Sequence, residues 1–274
     1  MSRVTAADLR ERLDRGEHIT LLDVRYYLTE PGRGEREYLQ GHVPGAVFVD
    51  LDADLAAAPT GSGGRHPLPD PRDFGAAMRR AGVSASTPVV VYDQRTSLAA
   101  GRAWWMLRNA GHTHVEVLDG GFAAWQAAGG AQRPGREDAA PGDFEPGPDR
   151  LPRVDADQLP VLLAGGHRLA DVRAPERFRG ETEPIDPVAG HIPGAVNLPA
   201  ADLFTPDGTL LPVDDLRRRL APLGPGDAVS CGSGVTAAQV LWALDVAGLD
   251  GVALYPGSWS DWISDPARPV ATGP

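Results

Sequence analysis

The stretch "GHVPGAV" at residues 41–47 returns as "GHIPGAV" at residues 190–196, and it does not return alone. "LLDVR" at 21–25 precedes the first copy and "LADVR" at 169–173 precedes the second. Downstream, "VVVYD" at 89–93 is answered by "DAVSC" at 227–231, and "VLDGGFAAW" at 117–125 by "LYPGSWSDW" at 254–262. Landmarks that recur in one order at similar displacements mean that one domain is present twice. Two copies are too few for a solenoid, so the chain reads as a tandem pair of globular domains. Its 274 residues also exceed the usual size of a single core. Between the copies, "AQRPGREDAAPGDFEPGPDR" at 131–150 is rich in Pro, Gly and charge and lacks an apolar period. The expected organisation is a first domain over 1–132, a linker over 133–152 and a second domain over 153–274.

Within each copy, short apolar runs such as "ITLLDV", "PVVVYD" and "HVEVLD" alternate with helix-like segments such as "AADLRERLDRG" and "RAWWMLRNAG". Strands separated by helices pair in parallel through right-handed crossovers, which predicts an α/β fold with helices on both faces of each sheet. Ligands of such sheets gather at the carboxyl ends of the strands. Residue 231, the only cysteine, falls at such an end: strand "DAVS", cysteine, glycines, then a helix from about Thr236 to Ala247 closed by Gly248.

Composition excludes several functions. One cysteine permits no internal disulfide and no paired-thiol zinc site, which suits a reducing cytoplasm. All 26 basic residues are arginine, so Schiff-base chemistry and a P-loop lysine are ruled out. A net charge of -11 argues against nucleic-acid binding, and it requires that an anionic substrate be captured locally against the overall field. The N-terminus lacks an apolar signal core, and no stretch approaches the roughly 18 apolar residues of a membrane span, so no membrane association is expected.

A lone cysteine is ordinarily a small buried hydrophobe. The context of this one points elsewhere. Gly232 and Gly234 flank Ser233 and let consecutive backbone N–H groups turn toward the sulfur, while the following helix presents its positive N-terminal end. Such a cradle stabilises a thiolate nucleophile, and equally a persulfide anion carried on it. Counting back from Trp242 and Trp104 places Asp93 at the equivalent point of the first copy. A cysteine-dependent phosphatase would share the cradle but requires an arginine six residues after the cysteine, where this chain has Ala237.

With "CGSGVTA" at 231–237, "GHIPGAV" and "GSWSDW" at 257–262 inside a duplicated α/β domain, the sequence resembles the two-domain rhodaneses, the thiosulfate and 3-mercaptopyruvate sulfurtransferases. The resemblance covers nearly the whole chain. It implies tandem rhodanese-like domains of which only the second carries the persulfide-forming cysteine, Cys231, and it implies no cofactor and no metal. Members with Gly-Ser-Gly after the cysteine favour 3-mercaptopyruvate, and those with basic residues there favour thiosulfate, so the loop points to the former. Gly232, Gly234, Val235 and Thr236 are then expected around the donor. The first copy carries 11 more residues than the second between its "PGAV" turn and the cysteine-equivalent position, within "DLDADLAAAPTGSGGRHPLPDP". In mercaptopyruvate-type members this region supplies an aspartate and a histidine that join the loop serine. The best matches are Asp52 and His66, joining Ser233; an ordinary capping aspartate and an exposed loop histidine are the alternatives.

Arg177 in "APERFRGETEP" matches the arginine that family members use for the substrate carboxylate, with Arg179 as the alternative and a surface salt bridge as the plain reading. Some members have a further arginine downstream. This chain reads "PIDP" there, which implies weaker donor affinity or a substitute arginine. His42 and His191 occur in both copies and are expected to be turn residues, not metal ligands. Trp104, Trp105, Trp242, Trp259 and Trp262 are expected to pack in cores or line the cleft. The expected acceptor of the sulfur is a thiol, a thioredoxin-like protein or cyanide. A thiosulfate:cyanide sulfurtransferase, a non-catalytic persulfide carrier and an interaction module stand as the competing functions.

Overall fold

A computed structural model describes residues 2–61 and 63–274. The chain groups into two units, Met1–Ala56 with Pro69–Arg150 and Thr205–Leu210, and Ala57–Leu68 with Leu151–Phe204 and Leu211–Pro274. Two short segments therefore belong to the unit other than that of their chain neighbours. Thr205–Leu210 is held in the first unit, where the Leu210 N–H donates to Asp119 Oδ1 at 2.8 Å. Ala57–Leu68 is held in the second, where the Gly63 N–H donates to Asp261 Oδ1 at 2.7 Å and the Arg65 N–H to Ser260 Oγ at 3.0 Å.

The first unit contains β1 (Arg3–Val4), β2 (Thr20–Asp23), β3 (Ala46–Phe48), β4 (Val89–Tyr92) and β5 (Val115–Leu118) in the order β1-β5-β4-β2-β3, all parallel. The second contains β6 (Leu169–Asp171), β7 (Val196–Asn197), β8 (Ala228–Ser230) and β9 (Ala253–Leu254) in the order β7-β6-β8-β9, again parallel. The repeat seen in the sequence is thus a repeat of topology, β2-β3-β4-β5 matching β6-β7-β8-β9. Because helices cover both faces, central strands read as continuous apolar runs: "VVVY" of β4 is buried at all four positions. Helix Val235–Ala247 follows the same logic, with ten of its thirteen residues buried, so it has no polar face to show. Gly248, at φ 73, ends it in the left-handed region.

The repeated motifs are structural fasteners. Arg25 grips both oxygens of Asp23 through Nε and Nη2 and donates to the Gly41 carbonyl, and Arg173 does the same to Asp171 and Gly190. Each guanidinium lies over an aromatic ring of its own unit, Phe122 at 4.5 Å and Trp259 at 4.9 Å. His42 and His191 are buried, stacked on Tyr38 and Phe178, and each places Nδ1 on the backbone carbonyl of that same residue. Among the described residues no group of three or more His, Cys, Asp or Glu side chains could hold a metal ion, and no helix is long and apolar enough to cross a membrane. The five tryptophans singled out in the sequence are all buried. The Pro-Gly-rich stretch after residue 131 lacks helix and strand but is not a free spacer. Phe144 is buried against Phe74, and Gly142 and Phe144 donate their N–H groups to Arg79 and Val83 of the first unit.

Candidate active site

Cys231 is the first residue after β8, at the carboxyl end of a strand flanked by β6 and β9. The chain runs from β6 to the sheet edge at β7 and returns on the other side of β6 to form β8, so the cysteine stands at the switch point where open α/β sheets bind ligands. Its side chain is 2% exposed. Its sulfur accepts the Gly234 N–H at 3.2 Å. Gly234 is the residue before helix Val235–Ala247, at φ 79, and a Cβ there would stand 2.2 Å from the Pro256 carbonyl oxygen. Only glycine can turn the chain so closely past that carbonyl while aiming its amide at the sulfur. Val235 is buried and Thr236 half-buried in the first turn of that helix, whose N-terminal end faces the loop.

A second segment clamps the cysteine from the side. The Cys231 N–H donates to Ser258 Oγ at 3.0 Å, and the Ser258 hydroxyl donates to the Tyr255 carbonyl at 2.9 Å. Backbone bonds from Trp259 and Ser260 close on the carbonyls of Cys231 and Gly232. Ser258 holds φ 53, a left-handed conformation costly for a side-chain-bearing residue. The first copy has Gly121 there, at φ 57. A serine where the other copy has glycine is a signal readable in the sequence, and sequence reasoning passed over it.

Ser233 is 6% exposed, and His66, 5% exposed, places Nδ1 at 2.7 Å from its hydroxyl oxygen. His66 reaches the loop because Ala57–Leu68 packs in the second unit. Asp52 belongs to the first unit, in the first turn of the short helix Leu51–Asp54, whose N-cap Asp50 accepts the Asp52 N–H. Burial of its carboxyl and the nearby charge of Asp50 raise its pKa, and a hydrogen bond with Tyr26 opposes them.

Arg177 lies on the short helix Pro175–Phe178 that follows β6. Its Nε and Nη2 hold Glu183 at 3.1 and 2.7 Å, and Nη2 also donates to Asp186 Oδ2 at 3.2 Å. Asp186, in the "PIDP" segment, takes Arg65 Nη1 on its other oxygen at 2.5 Å. Burial works against the charge on Glu183, but Arg177 and the backbone amides of Asp186 and Ile185 outweigh it and hold its pKa below the ordinary carboxylate value. Arg179, the alternative to Arg177, pairs with Glu181 on the surface. Glu183, Asp186 and Arg65 were not singled out in the sequence, since nothing in their spacing marks them.

The first copy shows what this cradle does without a cysteine. Asp93 follows β4 as Cys231 follows β8, and its carboxylate accepts the N–H groups of Arg95, Ser97, Ala99 and Ala100. Complete burial drives its pKa up, against which those amides hold it down. One copy thus holds a carboxyl group in a ring of four N–H donors, and the other places at that point a sulfur that accepts the Gly234 N–H.

Comparison with known proteins agrees with this geometry. Residues 5–128 and 155–265 match the model of the rhodanese-like domain. A Mycobacterium tuberculosis protein named as a thiosulfate sulfurtransferase, SseB, is 45% identical over 98% of this chain and 96% of its own. A Pseudomonas aeruginosa protein named as a 3-mercaptopyruvate sulfurtransferase is 46% identical over 98% of both. The crystal structure of the 3-mercaptopyruvate sulfurtransferase SseA of Escherichia coli superposes with a TM-score of 0.80, at 37% identity over 95% of this chain and 99% of that one. The chain belongs to the rhodanese family, as a two-domain sulfurtransferase with its cysteine in the second copy.

Proposed function

We propose that the protein is a 3-mercaptopyruvate sulfurtransferase. The observation that carries this reading is the loop itself: a sulfur receiving the Gly234 amide, with Ser233 beside it bonded to His66 and no basic side chain between Cys231 and the helix. In the reaction, the Cys231 thiolate attacks the donor sulfur. An S–S bond forms, the C–S bond breaks, and its electron pair passes into the adjacent carbonyl as the enolate of pyruvate. The proton of the donor thiol moves to the enolate carbon, leaving pyruvate and a Cys231 persulfide anion. Ser233 and His66 relay that proton. Arg177 and the amides of the Gly232–Thr236 turn hold the donor. A thiolate, of a small molecule or a thioredoxin-like protein, then takes the terminal sulfur and restores the thiolate, as cyanide does to give thiocyanate.

Pyruvate release and thiosulfate:cyanide transfer, assayed side by side, test this reading. The wild type turns over 3-mercaptopyruvate faster than thiosulfate, Cys231→Ser abolishes both, and Ser233→Ala lowers pyruvate release by about a hundredfold or more while thiosulfate transfer falls far less. Ser233→Ala with unchanged pyruvate release refutes the relay. A wild type that prefers thiosulfate refutes the donor. Donor-treated protein carries an extra mass of about 32 Da on Cys231, and a chain that shows that adduct without turnover is a carrier, not an enzyme.

A further inference from the structure

We infer that Arg65 joins Arg177 at the donor and takes its anionic group through the edge formed by its own Nε and Nη2. The inference rests on the donor reading given above and names a residue that reading leaves out. Arg65 is fixed at both ends, its backbone N–H on Ser260 Oγ at 3.0 Å and its Nη1 on Asp186 Oδ1 at 2.5 Å. Its Nε is buried and has no hydrogen-bond partner among the described residues. An unpaired buried N–H of a cation is costly, and such groups are rare unless they serve a ligand.

The chain itself shows what this edge binds. Arg25 and Arg173 each use Nε and Nη2 together to hold both oxygens of a carboxylate. In Arg177 the same edge is already closed on Glu183. In Arg65 it is open, and it faces the catalytic loop: Nη2 stands 3.3 Å from the point that a Cβ on Gly232 would occupy, and Arg177 Nη2 stands 3.7 Å from it. Gly232 directly follows Cys231. Two guanidiniums therefore converge on Gly232, a loop position that lacks a side chain, beside the sulfur, and the fork with free N–H groups is that of Arg65. Asp186 bridges the pair, so it sets the angle of Arg65 while engaging neither Nε nor Nη2. In a chain of net charge -11 this is the local capture that an anionic donor requires.

Because Cys231 is the only cysteine, its alkylation reads the site without any sulfur chemistry. Iodoacetate carries a carboxylate and iodoacetamide is its neutral counterpart; both form an S–C bond to Cys231 with loss of iodide. Arg65→Gln is expected to slow iodoacetate at least tenfold and iodoacetamide less than twofold, and to raise KM for 3-mercaptopyruvate at least tenfold with kcat changed less than threefold. Arg65→Lys keeps a positive charge opposite Asp186 but lacks the paired edge, and it is expected to recover only a minor part of the iodoacetate rate. Equal slowing of both reagents, no slowing of either, or full recovery by lysine overturns the inference. If the wild type released no pyruvate, the donor reading would fall, while the alkylation ratio would still report on Arg65.

Discussion

Replacing Gly234 by alanine tests the cradle at the atom where it is made. Two costs can be worked from the structure. At φ 79 any side chain costs about 1–2 kcal/mol relative to glycine. A Cβ at 2.2 Å from the Pro256 carbonyl oxygen meets backbone, not the end of a flexible side chain, and must push the turn away for about 1–3 kcal/mol more. The sum, about 2–5 kcal/mol, lowers the melting temperature by about 5–15 °C. The displaced turn also carries the N–H that donates to the sulfur at 3.2 Å. Loss of one preorganised donor of this kind costs a factor of about 10² to 10³ in rate.

Gly248 supplies the control. It closes the other end of the same helix at φ 73, where the nearest atom to a Cβ is the tip of Arg217 at 3.9 Å. Gly248→Ala is expected to show the conformational cost alone, about 1–2 kcal/mol, with full chemistry. The assay is the iodoacetamide rate at Cys231 at pH 7, well below both melting temperatures, with pyruvate release measured alongside and near-ultraviolet dichroism of the tryptophans as the check on packing. If Gly234→Ala were destabilised as expected yet alkylated and turned over within twofold of Gly248→Ala, the amide would not be what makes the sulfur reactive.

Three further outcomes follow from the same geometry. Ser258→Ala removes the acceptor of the Cys231 N–H and is expected to lower pyruvate release about tenfold or more; Ser258→Gly relieves the φ 53 strain and loses the same bond, so it gains stability over alanine without regaining rate, as unfolding and turnover will show. Glu183→Gln strips a counter-charge from Arg173 and Arg177 and is expected to destabilise by about 3 kcal/mol at pH 7 in urea titrations. The folded pKa of Glu183 lies below its unfolded value of about 4.3, so its contribution is complete above that value and is lost as pH falls through the folded pKa; the gap between variant and wild type should therefore close on acidification, and a gap constant down to pH 3 would contradict the assignment. Asp93→Asn turns an amide group toward N–H donors that now meet a carboxylate and should cost about 2–4 kcal/mol in thermal unfolding while leaving Cys231 alkylation unchanged.

The duplication, the parallel sheets and the position of the cysteine were legible because they rest on local patterns: apolar runs of strand length, glycines at a strand-to-helix turn, and motifs repeated in order. The repeated "DVR" and "GH" motifs were visible, but their job was not. That Arg25 and Arg173 each bind an aspartate two residues back and a carbonyl sixteen or seventeen residues on is a property of the folded turn. Ser258 could have been found by comparing the copies, since it replaces Gly121. Glu183, Asp186 and Arg65 could not. Their meeting depends on Ala57–Leu68 grouping with the second unit, a tertiary outcome that no window of sequence encodes.

The two copies together explain why one cysteine suffices. Both end their central strand at a turn with backbone N–H groups aimed at the next side chain, four of them at Asp93 and that of Gly234 at Cys231, and buried N–H groups of this kind need an acceptor. The first copy supplies it with the carboxyl group of Asp93, which is bonded to all of those donors and cannot carry sulfur. The second copy offers the softer, weaker acceptor of a sulfur, with the Gly234 amide already aimed at it and Gly232 leaving space beside it. On this account the reactivity of Cys231 comes less from the residue than from backbone donors at the end of the central strand, and an Asp93→Cys substitution, set within the ring of four N–H groups, should therefore yield a thiol that alkylates faster than free cysteine at neutral pH. If that thiol were inert, the ring would not be enough, and Ser258 and Arg65, which Gly121 and the rest of the first copy do not reproduce, would carry the difference.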